Sequence, residues 1–264
     1  MDLTHYQLNM SRSILLEICA NSVTSAIAAQ QGGAGRVELC ENLFIGGTTP
    51  SFGAILQARK EIEIPIYVLI RPRGGDFLYS DIEHDIMLAD AKFCLEAGCN
   101  GIVAGILNSD GSVDKKRCKP FVELAKQYNA GATFHRAFDM CNDQFKALED
   151  IIELGFERIL TSGDKSTAIE GVRRIAELNK IAAGRIFVMP GSGVNEHNVA
   201  DIIEFSGVTE IHSSAKIKVQ SQMKYKNDHI IMTDSFEDEY SVDFTSAERV
   251  KNIMKNAIEN IRMC

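Results

Sequence analysis

Acidic and thiol side chains recur together in two short apolar segments near the start of this 264-residue sequence. Each segment carries a glutamate and a cysteine two residues apart, Glu17 with Cys19 and Glu38 with Cys40. Because side chains alternate along a strand, each pair projects from one face if the segments are strands. Carboxylates can act as general bases, and thiolates are soft metal ligands. The two pairs therefore predict either acid–base chemistry or metal binding.

A strongly basic turn follows the apolar segment at residues 64–70, where the chain reads RPRGGD. Arg71 and Arg73 offer planar forks of donors that suit a carboxylate or a phosphate. The glycine pair after them permits positive φ and a close approach of the backbone. The alternative is that Arg71 forms a structural ion pair with Asp76 and stiffens the loop.

Histidines end two later apolar segments, ATFHRAF and EIHSS. Burying an unpaired charged side chain in a packed interior is costly, so we expect such residues to be paired or to serve a site. A glutamate would act as the general base, and a histidine as the acid or the electrophile. The predicted catalytic residues are Glu17, Glu38, Arg71, His135 and His212.

A glycine-rich turn, MPGSGVN, follows another apolar segment and precedes a helical pattern. Backbone N–H groups and a helix N-terminus at such a turn commonly bind phosphate in α/β barrels. The structural alternative is a tight turn without a ligand. The predicted anion-binding residues are Arg73, Arg136, Gly191, Ser192, Gly193, Ser213 and Ser214.

The elements that must position these residues alternate along the chain. Apolar segments predict strands at 14–19, 36–40, 64–70, 101–107, 132–138, 158–162, 185–190 and 210–214. A helical pattern follows each of them, which predicts a single-domain (β/α)8 TIM-type barrel with parallel strands over residues 1–264. A doubly wound open sheet is the alternative, but it usually has a glycine-rich turn after its first strand, and CANS at 19–22 is not one.

Several helix boundaries can be predicted from capping residues. Thr49 and Pro50 suit the N-cap and first position of one helix, and Ser80 with Glu83 forms a capping box for the next. Asn195 suits the N-cap of a later helix.

The chain after the eighth predicted strand breaks the alternation. Residues 216–243 form a polar, acidic excursion that we expect to wrap the barrel mouth or to reach a neighbouring subunit. The last helix should then close the barrel wall with an amphipathic seam. That seam comprises Val250, Ile253, Met254, Ala257, Ile258 and Ile261.

Composition excludes several classes of protein. A net charge of −8 without a Lys/Arg run argues against a nucleic-acid partner, and no apolar run reaches the roughly 18–20 residues of a membrane span. The first 13 residues lack the pattern of a signal peptide. Seven cysteines without a CxxC motif indicate reduced thiols, and we therefore expect a cytoplasmic protein. Since no apolar run is long enough to span a membrane, we also expect no membrane partner.

Six motifs lie in succession within residues 14–226: ELCENLFIGGTTPSFG, VLIRPRGGDFLYS, TFHRAFD, RILTSG, VMPGSGVNEHN and EIHSSA. In order and spacing they resemble those of the CutC family, which is named for copper homeostasis. The resemblance implies a cytosolic TIM-type barrel that assembles as a homodimer or homotetramer and acts in copper homeostasis. The family usually reads MPGGGV where this chain has Ser192.

The resemblance also implies a metal site. Cys19 and Cys40 match the family's cysteines, and Cu(I), the expected cofactor, prefers soft ligands of this kind. Met189 and His135 are weaker candidates. The alternative is a TIM-barrel enzyme that uses acid–base chemistry on a small anionic or phosphorylated substrate. A metabolite sensor without catalysis is a third reading.

Overall fold

The computed structural model describes residues 13–227, 229–230, 232 and 238–259. Its main sheet has eight parallel strands. They are β1 (Leu15–Ala20), β2 (Arg36–Leu39), β3 (Ile66–Leu69), β4 (Gly101–Ala104), β5 (Gly131–Phe134), β6 (Arg158–Thr161), β7 (Phe187–Pro190) and β8 (Glu210–Ser213).

The strands form a nearly closed barrel in chain order. Each strand from β1 to β6 pairs with the next one, and β1 pairs with β8 as well as with β2. β7 and β8 also lie in contact. The predicted (β/α)8 barrel is therefore confirmed, and the open doubly wound sheet is wrong.

Helices cover the outside of the barrel. They are α1 (Val23–Gln31), α2 (Phe52–Glu61), α3 (Asp81–Glu96), α4 (Lys115–Gln127), α5 (Gln144–Leu154), α6 (Val172–Ala182), α7 (Val199–Ser206) and α8 (Ala247–Glu259). No helix within the described ranges combines the length and hydrophobicity needed to cross a bilayer.

The strand alternation separates two cores. In β1, Leu16 and Ile18 pack with apolar side chains of the helices in the main hydrophobic core. Cys19 instead belongs to a small interior cluster with Cys40 and Tyr67. The apolar face of the barrel thus lies under the helices, and the polar and thiol groups point inward.

Two predicted helix caps are wrong, and one is confirmed. Ser80 and Glu83 form the predicted capping box. The Thr49 hydroxyl accepts a hydrogen bond from Arg71 N at 2.9 Å, so Ser51 caps α2 instead. Asn195 accepts from His197 N at 2.9 Å, and α7 begins only after Asn198.

The strand predicted at 132–138 is wrong at its end. β5 stops at Phe134, and a 3-10 turn follows at Arg136–Met140. The ring nitrogen Nδ1 of His135 accepts a hydrogen bond from Ala137 N at 3.1 Å and starts that turn. Strand alternation therefore does not set the direction of the His135 side chain.

The polar excursion contains an antiparallel ribbon. Its strands are β9 (Lys216–Gln220) and β10 (Ser241–Thr245), and α8 follows them directly. α8 buries Val250, Ile253 and Ala257 as the seam predicts, but Ile258, also assigned to the seam, is exposed. Ile261, also assigned to that seam, lies outside the described residues.

Candidate functional site

A network of buried charges crosses the interior of the barrel. Arg36, Arg158 and Glu210 are the first residues of their strands. Arg36 Nη2 and Arg158 Nε donate to Glu210 Oε2 at 2.6 and 2.8 Å. Arg36 also forms an ion pair with Glu17. Two guanidinium groups thus meet two buried carboxylates in this floor network (Glu17, Arg36, Arg158 and Glu210), and Arg158 forms a further ion pair with the partly exposed Glu157.

Glu17 connects the floor network to His212. Burial alone would raise the pKa of Glu17, but Arg36 and His212 together lower that pKa to about 2, so the carboxylate is ionised. Its Oε1 lies 2.8 Å from His212 Nδ1. The carboxylate therefore keeps the proton on Nδ1 and fixes the ring, as an outer-shell carboxylate does for a metal-binding histidine.

The other nitrogen of His212 faces a cluster of potential ligands. His212 Nε2 lies 3.6 Å from Glu38 Oε2, and donor atoms of Cys19, Glu38 and His212 lie within 4.8 Å of one another. Cys40 Sγ is 3.4 Å from Cys19 Sγ. The parallel register places Cys19 beside Glu38 and Glu17 beside His212, which brings the cluster together. We call Cys19, Cys40, Glu38 and His212 the thiol cluster.

The surroundings favour the protonated forms of three members of the thiol cluster, Cys19, Glu38 and His212. A hydrogen bond with Cys40, together with burial, raises the pKa of the Cys19 thiol well above its ordinary value. Burial also raises the pKa of Glu38. Burial alone would lower the pKa of His212, but Cys19 and the two glutamates outweigh it and raise that pKa. A metal cation would replace these protons, since metal ligands bind in their deprotonated forms.

The thiol cluster forms one wall of a cavity at the carboxyl ends of the strands. The cavity has a volume of about 360 Å³. Apolar side chains, among them Leu69, Phe77 and Leu160, line its interior. The carboxyl rim is where TIM barrels carry their chemistry.

Arg71 lines the cavity but is held mainly by backbone carbonyls. Its Nη1 donates to Ile45 O and Gly47 O at 2.9 Å each, and its Nη2 donates to Gly75 O at 2.7 Å. Its Nε and the hydroxyl of nearby Tyr79 have no hydrogen-bond partner among the described residues. Arg71 therefore keeps its charge without a carboxylate partner in that part of the chain.

His135 is a neutral donor in the same cavity. Burial and the charge of Arg71 lower its pKa to about 3. Nδ1 accepts from Ala137 N, so the proton lies on Nε2, and Nε2 is buried without a partner in the described structure. A side chain at Gly105 would collide with Nδ1 and Cε1, whereas the ring packs 4.9 Å from that of Phe77. The residue nevertheless lines the cavity.

Arg73 lies outside the cavity. Its Nε donates to Glu83 Oε1 at 2.5 Å, and its Nη2 lies 3.1 Å from Asp76 Oδ1. Asp76 thus pairs with Arg73 and not with Arg71. This arrangement stabilises the turn that carries the carbonyl groups around Arg71.

The structure brings most of the predicted site residues together. The cavity is lined by Cys19, Glu38, Arg71, His135, Arg136, Ser192, Gly193, His212, Ser213 and Ser214. Glu17 and Cys40 lie directly behind it, in contact with His212 and Cys19. Gly191 packs on Leu160 and His212, and Met189 Sδ lies 3.4 Å from Arg36 Nη2 in the floor network.

Sequence reasoning missed several residues of the site. Arg36, Arg158 and Glu210 complete the floor network, and a charged first residue in each strand is the signal that could have found them. Arg249 reaches the cavity from α8 and pairs with Glu196 at 2.8 Å. The apolar seam of that helix gives no hint of this role.

A protein-family model matches most of the chain. The model that matches residues 14–217 is that of the CutC family. The chain belongs to the CutC family. The resemblance inferred from the motifs is thus confirmed over most of the barrel.

Similar proteins from animals carry the name of the family. A copper homeostasis protein cutC homolog of Mus musculus is 47% identical over 245 residues, covering 92% of this chain and 89% of its own length. The Homo sapiens homolog of the same name is 45% identical over 249 residues, covering 94% and 90%.

Solved structures support the barrel. A CutC protein from Streptococcus agalactiae is 36% identical, with a TM-score of 0.72, and the match covers 76% of this chain and 98% of that one. A thiamine phosphate pyrophosphorylase from Pyrococcus furiosus is 14% identical with a TM-score of 0.54, over 97% and 98% of the two chains. The second likeness shows the fold alone.

Proposed function

We propose that the thiol cluster binds Cu(I) and that the protein serves copper homeostasis. The observation that carries the proposal is the pair of buried thiols, Cys19 and Cys40, whose sulfur atoms lie 3.4 Å apart beside His212. Cu(I) prefers thiolate ligands, and imidazole also suits copper. The names of the mouse and human relatives support the same role.

The surroundings of the thiol cluster fit a cation. Glu17 holds the Nδ1 proton of His212, so Nε2 is the atom that faces Cys19 and Glu38. A bound copper ion would neutralise the Cys19 thiolate, whose negative charge the hydrogen bond with Cys40 and burial both disfavour. Cys19, Cys40 and His212 would hold the ion, and the Glu38 carboxylate would be an additional oxygen ligand.

A competition titration tests this function. Cu(I) is titrated against a chelator of known affinity with the native protein and with Cys19→Ala/Cys40→Ala. We expect the Cu(I) affinity of the Cys19→Ala/Cys40→Ala variant to fall by more than about 100-fold, because loss of an outer-shell partner alone weakens metal binding by ~10–100-fold. The matched control is Cys94→Ala/Cys118→Ala, which removes two buried thiols outside the cavity. Equal affinities for the native protein and the first variant would refute the proposal.

A second candidate is an enzyme that acts on a small anionic molecule by acid–base chemistry. The unpartnered Nε2 of His135 and the raised pKa of Glu38 favour it, since Glu38 could exchange a proton with a substrate and the His135 Nε2–H could donate a hydrogen bond to a substrate oxygen. Arg71 would attract the anion. Proton NMR of a panel of small carboxylates and phosphomonoesters, with native protein and Glu38→Gln, tests it. Turnover that persists in Glu38→Gln would refute the assignment of Glu38.

The proposal includes a cytoplasmic location and a homodimer or homotetramer. Six cysteines of the described residues are free thiols, as expected in a reducing compartment. The ribbon of β9 and β10 exposes Ile217, Val219 and Val242, an apolar surface that suits contact with a second copy. Sedimentation analysis of the native protein tests the assembly, and a monomer at high concentration would contradict it.

A further inference from the structure

Backbone donors without acceptors gather on one side of the cavity. The N–H groups of Ser192, Gly193, Val194 and Ser214 have no hydrogen-bond acceptor within the described part of the chain. All four residues line the cavity, in the turns that follow β7 and β8. The loops after the seventh and eighth strands are where TIM barrels commonly bind phosphate.

The turn after β7 adopts an unusual backbone conformation. Ser192 and Gly193 have consecutive positive φ values of 78° and 71°. A left-handed conformation is unfavourable for a serine and persists only where the surroundings enforce it. Here the Ser192 hydroxyl donates to Ser166 O at 2.8 Å, and Ala168 N donates to Ser192 O at 2.9 Å. These bonds hold the turn so that successive N–H groups stay free for an anion.

An independent observation points to a ligand in the same cavity. The Nε2–H of His135, a side chain that is only 4% exposed, has no partner among the described residues. Its neighbour Arg71 keeps a positive charge with only carbonyl acceptors around it. A neutral donor beside an uncompensated guanidinium suits an oxygen atom of a bound molecule.

The cavity has room for a ligand larger than a free phosphate ion. Its volume of about 360 Å³ has room for on the order of ten water-sized groups. Phosphate alone would fill only part of it. The remaining apolar lining, with Leu69, Phe77 and Leu160, suits a short carbon skeleton.

We infer that the cavity binds a small organic phosphomonoester with a second oxygen-bearing group. The N–H groups of Ser192, Gly193, Val194 and Ser214 hold the phosphate, and His135 with Arg71 holds the second group. The inference deepens the second candidate function and rests on its small anionic ligand, but it requires neither turnover nor bound copper.

Calorimetric titration of the metal-free protein in a phosphate-free buffer tests the inference. The probes are 2-phosphoglycolate, ethyl phosphate, inorganic phosphate and glycolate. We expect 2-phosphoglycolate to bind most tightly, ethyl phosphate and phosphate more weakly, and glycolate weakest. Glycolate binding as tightly as 2-phosphoglycolate, or no phosphate-bearing probe binding at millimolar concentration, would overturn it.

Charge variants at Ser192 locate the phosphate. Asp and Asn are the side chains that best tolerate a left-handed backbone, so Ser192→Asp and Ser192→Asn form a pair that differs in charge and in the bond to Ser166 O, which only Asn can keep. We expect Ser192→Asp to weaken 2-phosphoglycolate binding by more than about 30-fold through like-charge repulsion, and Ser192→Asn to retain most of the affinity. Gln127→Glu adds the same charge on the exposed end of α4 and should change nothing. Equal binding by Ser192→Asp and Ser192→Asn would overturn the phosphate assignment.

A variant of His135 locates the second group. Asparagine can replace Nδ1 as the acceptor for Ala137 N but cannot reach the position of Nε2. His135→Asn should therefore weaken 2-phosphoglycolate binding by about 3–10-fold and leave ethyl phosphate binding unchanged, as loss of one hydrogen bond predicts. An equal effect on both probes would overturn this part. Copper titration of Ser192→Asp separates the two sites, because its Cu(I) affinity should match that of the native protein even if phosphate binding fails.

Discussion

The floor and the mouth of the barrel interior both carry buried polar groups, but they differ in how many of these groups have hydrogen-bond or ion-pair partners. In the floor network, Arg36 and Arg158 share Glu210, and Glu17 completes the set. At the mouth, His135 Nε2 and Arg71 Nε have no partner within the described residues. Arginine is thus paired with carboxylates in the floor, whereas Arg71 at the mouth has only carbonyl partners among the described residues.

The difference shows where function can lie. A buried ion pair that satisfies itself offers nothing to a ligand and mainly fixes the geometry around it. A buried donor without a partner carries an energetic cost that a bound molecule can remove. Glu17 links the two regions, because one of its oxygens contacts Arg36 and the other contacts His212. The floor therefore orients the site but does not form part of its open surface.

The largest expected effect comes from breaking the floor network. Glu210→Gln leaves two buried guanidinium groups without their shared carboxylate, and removal of one partner from such a network costs about 3–5 kcal/mol in the free energy of unfolding. Urea denaturation of the native and variant proteins measures it.

An exposed ion pair provides the comparison for that experiment. Arg185 Nη2 and Glu149 Oε1 lie 2.6 Å apart, with both side chains partly exposed. Glu149→Gln should change the unfolding free energy far less than Glu210→Gln. Similar effects of the two substitutions would show that the buried carboxylate of the floor network contributes no more to stability than an exposed one.

A smaller effect should appear in the pH dependence of stability, through His135. Its pKa is lowered to about 3 in the folded protein, against about 6.5 in an unfolded chain. Below pH ~6.5 the unfolded chain binds a proton at this histidine that the folded protein does not. The free energy of unfolding therefore decreases as the pH is lowered. Between pH 6.5 and 5, the native protein should lose about 2 kcal/mol more than His135→Asn. Identical pH profiles would mean that His135 is not buried as a neutral ring.

The smallest expected effect is at the mouth, where two opposing terms nearly cancel. Ser192→Gly relieves the left-handed strain at φ 78°, worth about 1 kcal/mol, but loses the hydroxyl bond to Ser166 O, worth about as much, so the free energy of unfolding should change by less than ~1 kcal/mol. Ser51→Gly, at an N-cap with φ −63°, has no such strain to relieve and should lose a few tenths of a kcal/mol. A loss of more than about 2 kcal/mol in Ser192→Gly would show that no strain is stored at this position.

The sequence predicted the barrel and most of the residues that line its cavity, but not how its charges are matched. Strand alternation correctly placed Glu17 with Cys19, because regular strands obey a period of two, and the pairing of β1 with β8 brings His212 beside Glu17. Alternation does not apply to His135, where the strand ends in a 3-10 turn. The partners of Arg71 are carbonyl groups of distant loops, and no pattern of side chains encodes such contacts.

If the thiol cluster at the mouth holds copper, anomalous X-ray diffraction at the copper edge will locate the ion in crystals loaded with Cu(I) under reducing conditions. We expect an anomalous peak in contact with Cys19 Sγ, Cys40 Sγ and His212 Nε2, and no such peak in Cys19→Ala/Cys40→Ala crystals. A peak confined to surface residues, with the thiol cluster empty in the native protein, would contradict it.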